Sequence, residues 1–252
     1  GINLFPGVEA SYKMLPGLKI FGSYNTSLRM PTFTDLYYSG PTNVGNPDLK
    51  PERAATLEGG LKLNHEFVQG QWVVFYRQGK NIIDWVKSAN EDLWQPRNLT
   101  RVNSLGTELQ AQFNLQKYLG KSFPDNVMLS FFTNHLEKVN RDYISNYVLD
   151  NLKYKFTGSV DQPIARGLSV NVKVIFQDRE GTYTMFVNGN WGNEVPYKPF
   201  WLTDAKLRYN FHYLTLFASV NNLFNVTYND IGNVIQPGRW FKAGFSCDLN
   251  FN

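Results

Sequence analysis

Cysteine is almost missing from this chain of 252 residues. Cys247 stands alone, which excludes an internal disulfide and a cysteine-based zinc site. Histidine is nearly as scarce, and His65, His135 and His212 are dispersed, so neither a metal site nor a cofactor is expected. Long apolar runs are lacking too. Trp72 to Tyr76 is only a few residues long, against the roughly 20 that a transmembrane helix requires. If the chain crosses a membrane, it does so with strands. The net charge is a modest +4, with Lys and Arg scattered through alternating segments and no basic run, which makes nucleic acid an unsuited partner. Gly1-Ile2-Asn3-Leu4-Phe5 shows no basic region and no cleavage site. An exported protein should carry a signal peptide, so the expectation is that it was removed or that the chain is a piece.

What is present is β-like. Hydrophobic residues make up 42%, charged residues only 18% and aromatics 15%, with 14 Tyr and 19 Phe. That mixture suits strands over helices, and it suits the aromatic girdles of a membrane barrel. Many segments alternate apolar and polar residues with period two. Leu168, Val170, Val172, Val174 and Phe176 oppose Ser169, Asn171, Lys173 and Gln177. Leu57, Gly59, Leu61 and Leu63 oppose Glu58, Lys62 and Asn64, and Leu109, Ala111, Phe113 and Leu115 oppose Glu108, Gln110, Gln112 and Asn114. Near the end, Phe241, Ala243, Phe245, Cys247, Leu249 and Phe251 oppose Lys242, Ser246, Asp248 and Asn250. Phe132 and Ile175 break the rule by lying on the polar side.

About eleven strands are predicted, near residues 4–14, 17–27, 53–64, 70–86, 99–116, 126–137, 147–163, 167–178, 200–211, 213–221 and 239–251. The connectors at Leu15-Pro16, His65 to Gln69, Ala165-Arg166 and His212 are short. Between them fall long ones: Leu28 to Glu52, Lys87 to Asn98, Lys138 to Asn146, Arg179 to Pro199 and Asn222 to Gly238. Lys117 to Asp125 is of middling length and interrupts the order. Tight turns at one rim and long loops at the other are the pattern of an outer-membrane barrel. A soluble sandwich also alternates, because each strand packs one face on a core. It would not need one face free of charge in nearly every strand while the other is broadly polar, so lipid outside and water inside is the favoured reading.

Asn46-Pro47-Asp48-Leu49-Lys50-Pro51-Glu52, followed by Ala55-Thr56-Leu57-Glu58-Gly59-Gly60, resembles a signature of TonB-dependent outer-membrane receptors. Ser219-Val220-Asn221-Asn222-Leu223-Phe224-Asn225 resembles that family's Asn-Leu-Phe motif before its final loop, and Gly238-Arg239 with Trp240 to Phe251 resembles its last strand. Arg29-Met30-Pro31-Thr32-Phe33 and Asn103-Ser104-Leu105-Gly106-Thr107-Glu108 are weaker matches. Asn252 departs from the family's usual aromatic terminus. Both motifs also have a physical reading. Proline cannot donate to a ladder, so Pro47 and Pro51 should keep Asn46 to Glu52 unpaired as a shaped lead-in to the next strand, a structural role. Asn221, Asn222 and Asn225 suit a strand end, where short amides satisfy local backbone groups.

The resemblance implies an all-β fold in which residues 1–252 form the C-terminal half, about eleven antiparallel strands, of a transmembrane β-barrel of about 22 strands, with the plug and the N-terminal strands absent. It implies an integral protein of the bacterial outer membrane, surrounded by outer-membrane lipid and energised by TonB through the missing plug. The implied activity is active uptake of a scarce nutrient such as cobalamin or a ferric siderophore. Tyr37, Tyr38, Trp94, Tyr183, Trp191 and Tyr228 fall in the predicted outer loops and are the candidate ligand contacts, since rigid amphipathic rings bind at low entropy cost. Glu58, Lys62 and Glu108 are expected to face the lumen. A passive porin or a glycan-uptake receptor would share the barrel; a soluble β-rich binding module would not. An enzyme is not expected, because no Ser/His/Asp constellation has a convincing context.

Overall fold

The computed structural model describes residues 4–87, 93–138, 144–145, 151–187 and 189–248. The strands are β1 (Gly7–Leu15), β2 (Leu18–Arg29), β3 (Glu52–Asn64), β4 (Val68–Lys87), β5 (Gln95–Phe113), β6 (Asn126–Lys138), β7 (Ile144–Ser145), β8 (Asn151–Ala165), β9 (Leu168–Glu180), β10 (Thr182–Val187), β11 (Asn190–Pro196), β12 (Phe200–Phe211), β13 (Leu214–Asn221) and β14 (Trp240–Cys247). Two short helices interrupt them, α1 (Phe33–Tyr37) and α2 (Gln116–Leu119). The main sheet runs β1-β2-β3-β4-β5-β6-β8-β9-β12-β13-β14, so nearly every strand pairs with its sequence neighbour; β7 pairs with β4, and β10 with β11 in a separate ribbon. By compactness the chain divides into one unit of Gly1–Lys62, Trp72–Thr107 and Thr133–Asn151, and another of Leu63–Gln71, Glu108–Phe132 and Leu152–Asn252.

In the second unit the register decides which face is which. Val172 pairs with Ala205, Val170 with Leu207 and Leu168 with Tyr209. The same row continues from Leu207 to Ala218 and from Tyr209 to Leu216, then from Ala218 to Ala243 and from Leu216 to Phe245. Four strands therefore place their apolar sets on one continuous face, and its side chains are open: Leu207 is 44% exposed, Trp201 55% and Phe245 73%. Each large apolar side chain left in water would forgo about 1.5–3 kcal/mol, so a face of this extent requires an apolar medium. On the opposite face Lys173 stands across from Asp204, Asn171 from Lys206, and Ser219 from Lys242. Ile175 pairs there with Leu202, so the sequence exception is one of a local apolar pair. Trp201 and Phe211 bracket the apolar face of β12 ten residues apart. At about 3.4 Å per residue and a tilt of about 40° they are about 26 Å apart along the normal, which matches the apolar band of an outer-membrane barrel.

Glycine is required where a ring lies across the ladder. Phe217 pairs with Gly244, and a Cβ on Gly244 would stand 2.7 Å from the Phe217 ring. The turn at Arg166-Gly167 is closed by Gly167 at φ 75°, and the turn at His212-Tyr213 by His212 at φ 53°.

In the first unit β1 and β2 repeat the division, with Val8 opposite Tyr24 and Tyr12 opposite Ile20 on an exposed apolar face, and Glu9 opposite Ser23 on the other. A small buried core of Val86, Leu99 and Val102, flanked by Ile82 and Leu136, lies where β4 and β5 extend past the barrel-like strand length.

Several sequence boundaries need correction. The connector Arg179 to Pro199 holds the β10–β11 hairpin, whose strands pair from Thr182↔Pro196 to Val187↔Asn190. Residues 114–116 are not strand, because α2 starts at Gln116. The connector Lys87 to Asn98 is shorter than expected, since β4 reaches Lys87 and β5 starts at Gln95. Glu52 already belongs to β3, so pairing begins at the last residue of the proline motif. Residues 147–150 of the strand predicted at 147–163, most of the connector Lys138 to Asn146, and residues 249–252 lie outside the described residues.

Candidate functional site

Two clusters of polar and aromatic residues occupy the ends of the strands opposite the short turns, one in each unit. The first is built on α1. Thr32 caps it: the Asp35 backbone N–H donates to Thr32 Oγ1 at 3.1 Å, and the Thr32 N–H donates to Asp35 Oδ2 at 2.9 Å, a reciprocal capping box. Asp35 is 7% exposed and also accepts from Trp85 Nε1 at 3.1 Å. Burial pushes the Asp35 carboxyl up, but the donors at Thr32 and Trp85 and the nearby Arg29 outweigh it and hold it below its ordinary range. Arg29 grips Glu52 with two bonds, Nε to Oε2 at 2.8 Å and Nη2 to Oε1 at 2.6 Å, and the Ile83 N–H donates to the same Glu52 Oε1 at 2.7 Å. The proline motif is tied in beside them. The Asn46 N–H donates to Asp35 O, Asn46 Nδ2 to Pro96 O, and Asn98 Nδ2 to both Lys50 O and Asn81 O. The motif therefore serves as a fastening for the loop, as its prolines suggest.

The second cluster centres on Asp230. Gln177 donates to it, and Arg179 Nη2 donates to Asp230 Oδ1 at 3.1 Å. The Arg179 guanidinium lies 5.8 Å from the Tyr197 ring centroid. The Gly232 N–H donates to Tyr197 Oη at 2.8 Å. The Asn-Leu-Phe motif forms the corner beneath: Asn222 and Asn225 adopt φ 50° and 54°. The Asn222 N–H donates to Asp204 Oδ1, its amide bridges Val226, and Asn225 Oδ1 accepts from the Arg239 N–H.

Of the candidate ligand contacts, Tyr37, Tyr38 and Trp94 come together in the first cluster. Tyr37 is 59% exposed and packs on Phe33; Tyr38 meets Trp85 edge to face at 6.3 Å. Trp94 is held by backbone bonds to Thr42 and Val44. Tyr183 and Tyr228 belong to the second. Tyr183 packs on Tyr197 at 5.1 Å, and Tyr228 on Phe200 at 4.4 Å. Burial, then Asp230 and Asp204, pushes the Tyr228 hydroxyl up, so it remains a neutral donor. Trp191 pairs with Phe186 across the β10–β11 ladder; its side chain lies outside the described residues. Sequence reasoning did not find the Arg29–Glu52–Asp35–Trp85 network, though the capping spacing of Thr32 and Asp35 was readable. At the short-turn end of the second unit an open cleft of about 580 Å³ is lined by Asn114, Asn126, Asp161, Ser169, Arg208 and Asn210 among others. Among the described residues no group of three His, Cys, Asp or Glu side chains could hold a metal.

The fold and the sequence have clear relatives. Residues 3–223 match the model described as "TonB dependent receptor-like, beta-barrel". The vitamin B12 transporter BtuB of Vibrio vulnificus is 32% identical over 96 residues, 38% of this chain and 15% of that protein. BtuB of Photobacterium profundum is 30% identical over 116 residues, 45% and 19% respectively. The solved FrpB iron transporter from Neisseria meningitidis superposes with a TM-score of 0.71 at 16% identity, covering 96% of this chain and 39% of that one. The chain thus aligns with well under half the length of each of these relatives. An antiparallel sheet in neighbour order, one exposed apolar face and the fastened proline motif agree with that match, and the chain belongs to the TonB-dependent receptor-like β-barrel family.

Proposed function

We propose that this chain forms part of a receptor in the bacterial outer membrane that takes up a scarce nutrient actively, with cobalamin or a ferric siderophore as the substrate class. The observation that carries the membrane reading is the apolar face continuous over β9, β12, β13 and β14, open to the surroundings and backed by a charged face. Support for the substrate class comes from the sequence likeness to the two vitamin B12 transporters and the fold shared with an iron transporter. Such solutes are too large for easy passage through an open pore, so uptake draws on energy through TonB, which engages a plug outside this chain. The ligand meets the long loops first, and Tyr37, Tyr38, Trp94, Tyr183, Trp191 and Tyr228 supply aromatic contacts there, with the exposed rings of Tyr37 and Tyr38 the most available.

The test is binding of cobalamin, a set of ferric siderophores and haem by the complete receptor, in parallel, together with uptake in cells with and without TonB. Tight binding to one of the first two and TonB-dependent uptake are expected. Binding to none, with growth depending on a glycan, would overturn the substrate class; uptake unchanged without TonB would favour a passive porin. Cysteines at Tyr38 and Tyr183 should react with an impermeant reagent on intact cells, and reaction only after breaching the outer membrane would reverse the orientation.

A further inference from the structure

The polar face of β9, β12 and β14 carries a set of cations that the aromatic contacts at the loops do not use. Their places follow from the register. Lys173 stands across from Asp204, Asn171 from Lys206 and Ser169 from Arg208. Lys206 continues to Ser219, and Ser219 to Lys242. Lys173, Lys206, Arg208 and Lys242 therefore share the face opposite the apolar one. At about 3.3 Å per residue and about 4.8 Å between strands, Lys206 is rooted about 8 Å from Lys173, about 7 Å from Arg208 and about 10 Å from Lys242. The set descends about 13 Å of strand, from mid-strand at Lys173 toward the short turns at Arg208.

Among the described residues no carboxylate forms an ion pair with any of the four. Two aspartates share the face, and both already serve as acceptors: Asp204 Oδ1 for the Asn222 N–H and Asp161 Oδ1 for Asn171 Nδ2. Lys206 and Lys242 rest on rings instead, with Nζ 4.9 Å from the Phe217 centroid and 3.9 Å from the Trp240 centroid. A ring steadies an ammonium without cancelling its charge, and Lys206, Arg208 and Lys242 stay exposed. Arg208 also lines the open cleft at the short-turn end, beside Ser169, Asn210 and Asp161. Cations and cleft thus make one polar track from mid-strand to the short-turn rim. Its spacing suits passage over retention. Neighbouring cations stand about one Debye length apart at physiological salt, so an anion leaving one is already drawn by the next. A path must admit a solute and also release it, and rows of Lys and Arg do this for anions. An uncharged solute gains nothing from them.

We infer that Lys173, Lys206, Arg208 and Lys242 form a charge-selective path along which an anionic ferric chelate crosses the lumen; this rests on the uptake reading above and narrows its substrate class. The test uses cells making the complete receptor, supplied with radiolabelled iron as its anionic tris-catecholate chelate or with uncharged cyanocobalamin. Surface binding in de-energised cells and the maximal rate of uptake are read separately. The wild type should take up the chelate. The variant K173Q/K206Q/R208Q/K242Q should lose at least tenfold in maximal rate, with surface binding within twofold of wild type. K173R/K206R/K242R, which keeps every charge, should retain the rate, as should K13Q/K19Q, which removes two cations from the polar face of β1 and β2. Heat-modifiable migration on electrophoresis reports insertion of each variant, and if the fourfold variant does not insert, K206Q/K242Q should still lose at least threefold in rate. An unchanged rate in the inserted neutral variant, an equal loss in the charge-keeping variant, or a loss of surface binding in place of rate would overturn the proposal. Uptake of cyanocobalamin without the chelate would overturn it too and leave the uptake reading standing, whereas uptake of neither would overturn that reading itself.

Discussion

The ladder of β9, β12, β13 and β14 and the cluster around α1 bury opposite kinds of atoms. In the ladder the large apolar side chains are outside and the charged ones line the other face. In the cluster Asp35 and Glu52 are the buried groups, at 7% and 8% exposure, while Phe33 and Tyr37 stand open. The ladder draws its stability from the surrounding medium and from a regular backbone. The cluster draws its own from specific hydrogen bonds, each carboxylate oxygen having a named donor. A β chain can therefore be inside out over its strands and conventional at its loops.

The comparison breaks most sharply at mid-strand. Arg in place of Val172 should cost about 2–4 kcal/mol, since it puts a charge in hydrocarbon, and Arg in place of Asn171 much less. Urea titration of folding into bilayers reads both, and equal losses would erase the distinction between faces. Next is Glu52→Ala, which leaves the Arg29 guanidinium with only Asp35, 3.9 Å away, and the Ile83 N–H without its acceptor. Removing one partner of a fully buried pair costs about 3–5 kcal/mol, and because the Arg29 side chain is 49% exposed we expect about 2–3 kcal/mol. A loss below about 1 kcal/mol would class the pair with surface ion pairs.

A smaller effect is expected at the corner. Asn222→Ala removes the amide bonds to Val226 and leaves a β-carbon in a left-handed conformation, at about 1–2 kcal/mol. Asn222→Gly, free of the conformational cost, should lose less; the reverse order would show that the left-handed backbone carries no cost for a β-carbon there. Smallest is the pH dependence at Asp35. Its folded-state pKa is depressed, so the stability it confers is complete above the ordinary carboxylate range and is lost as pH falls through the folded value. Wild type and Asp35→Asn should therefore differ most near neutral pH, with the gap closing from about pH 5 downward. A gap that widens in acid would contradict the assignment.

The ladder was legible because period two in β9, β12 and β14 has few exceptions, and a register slip of one residue would turn Leu168 to Phe176 to the charged side. The short turns were legible at Leu15-Pro16 and Ala165-Arg166, each one residue ahead of the turns at Pro16-Gly17 and Arg166-Gly167. The β10–β11 hairpin was not, since Tyr183, Met185 and Phe186 fall on both sides of the ribbon and leave no clean alternation. Helix α1 spans one turn, too short for an apolar period to emerge, and only its capping pair betrays it. Of the proposed site the sequence offers only a set of loop aromatics. That Tyr38 meets Trp85 and Tyr183 meets Tyr197 depends on side-chain packing between segments far apart in the chain.

The corner at Asn222 has a consequence for loop exchange. Its backbone and amide, with those of Asn225, bond to Asp204, Val226 and Arg239, so both ends of the segment between them are tied to the strands by the asparagines themselves. A change of length in the segment from Val226 to Gly238 then passes little strain to β13 and β14, whereas exchanging all of it also removes Asp230 and Gly232 and with them the bonds to Gln177, Arg179 and Tyr197. Such a junction marks a natural splice point for grafting a foreign loop tip.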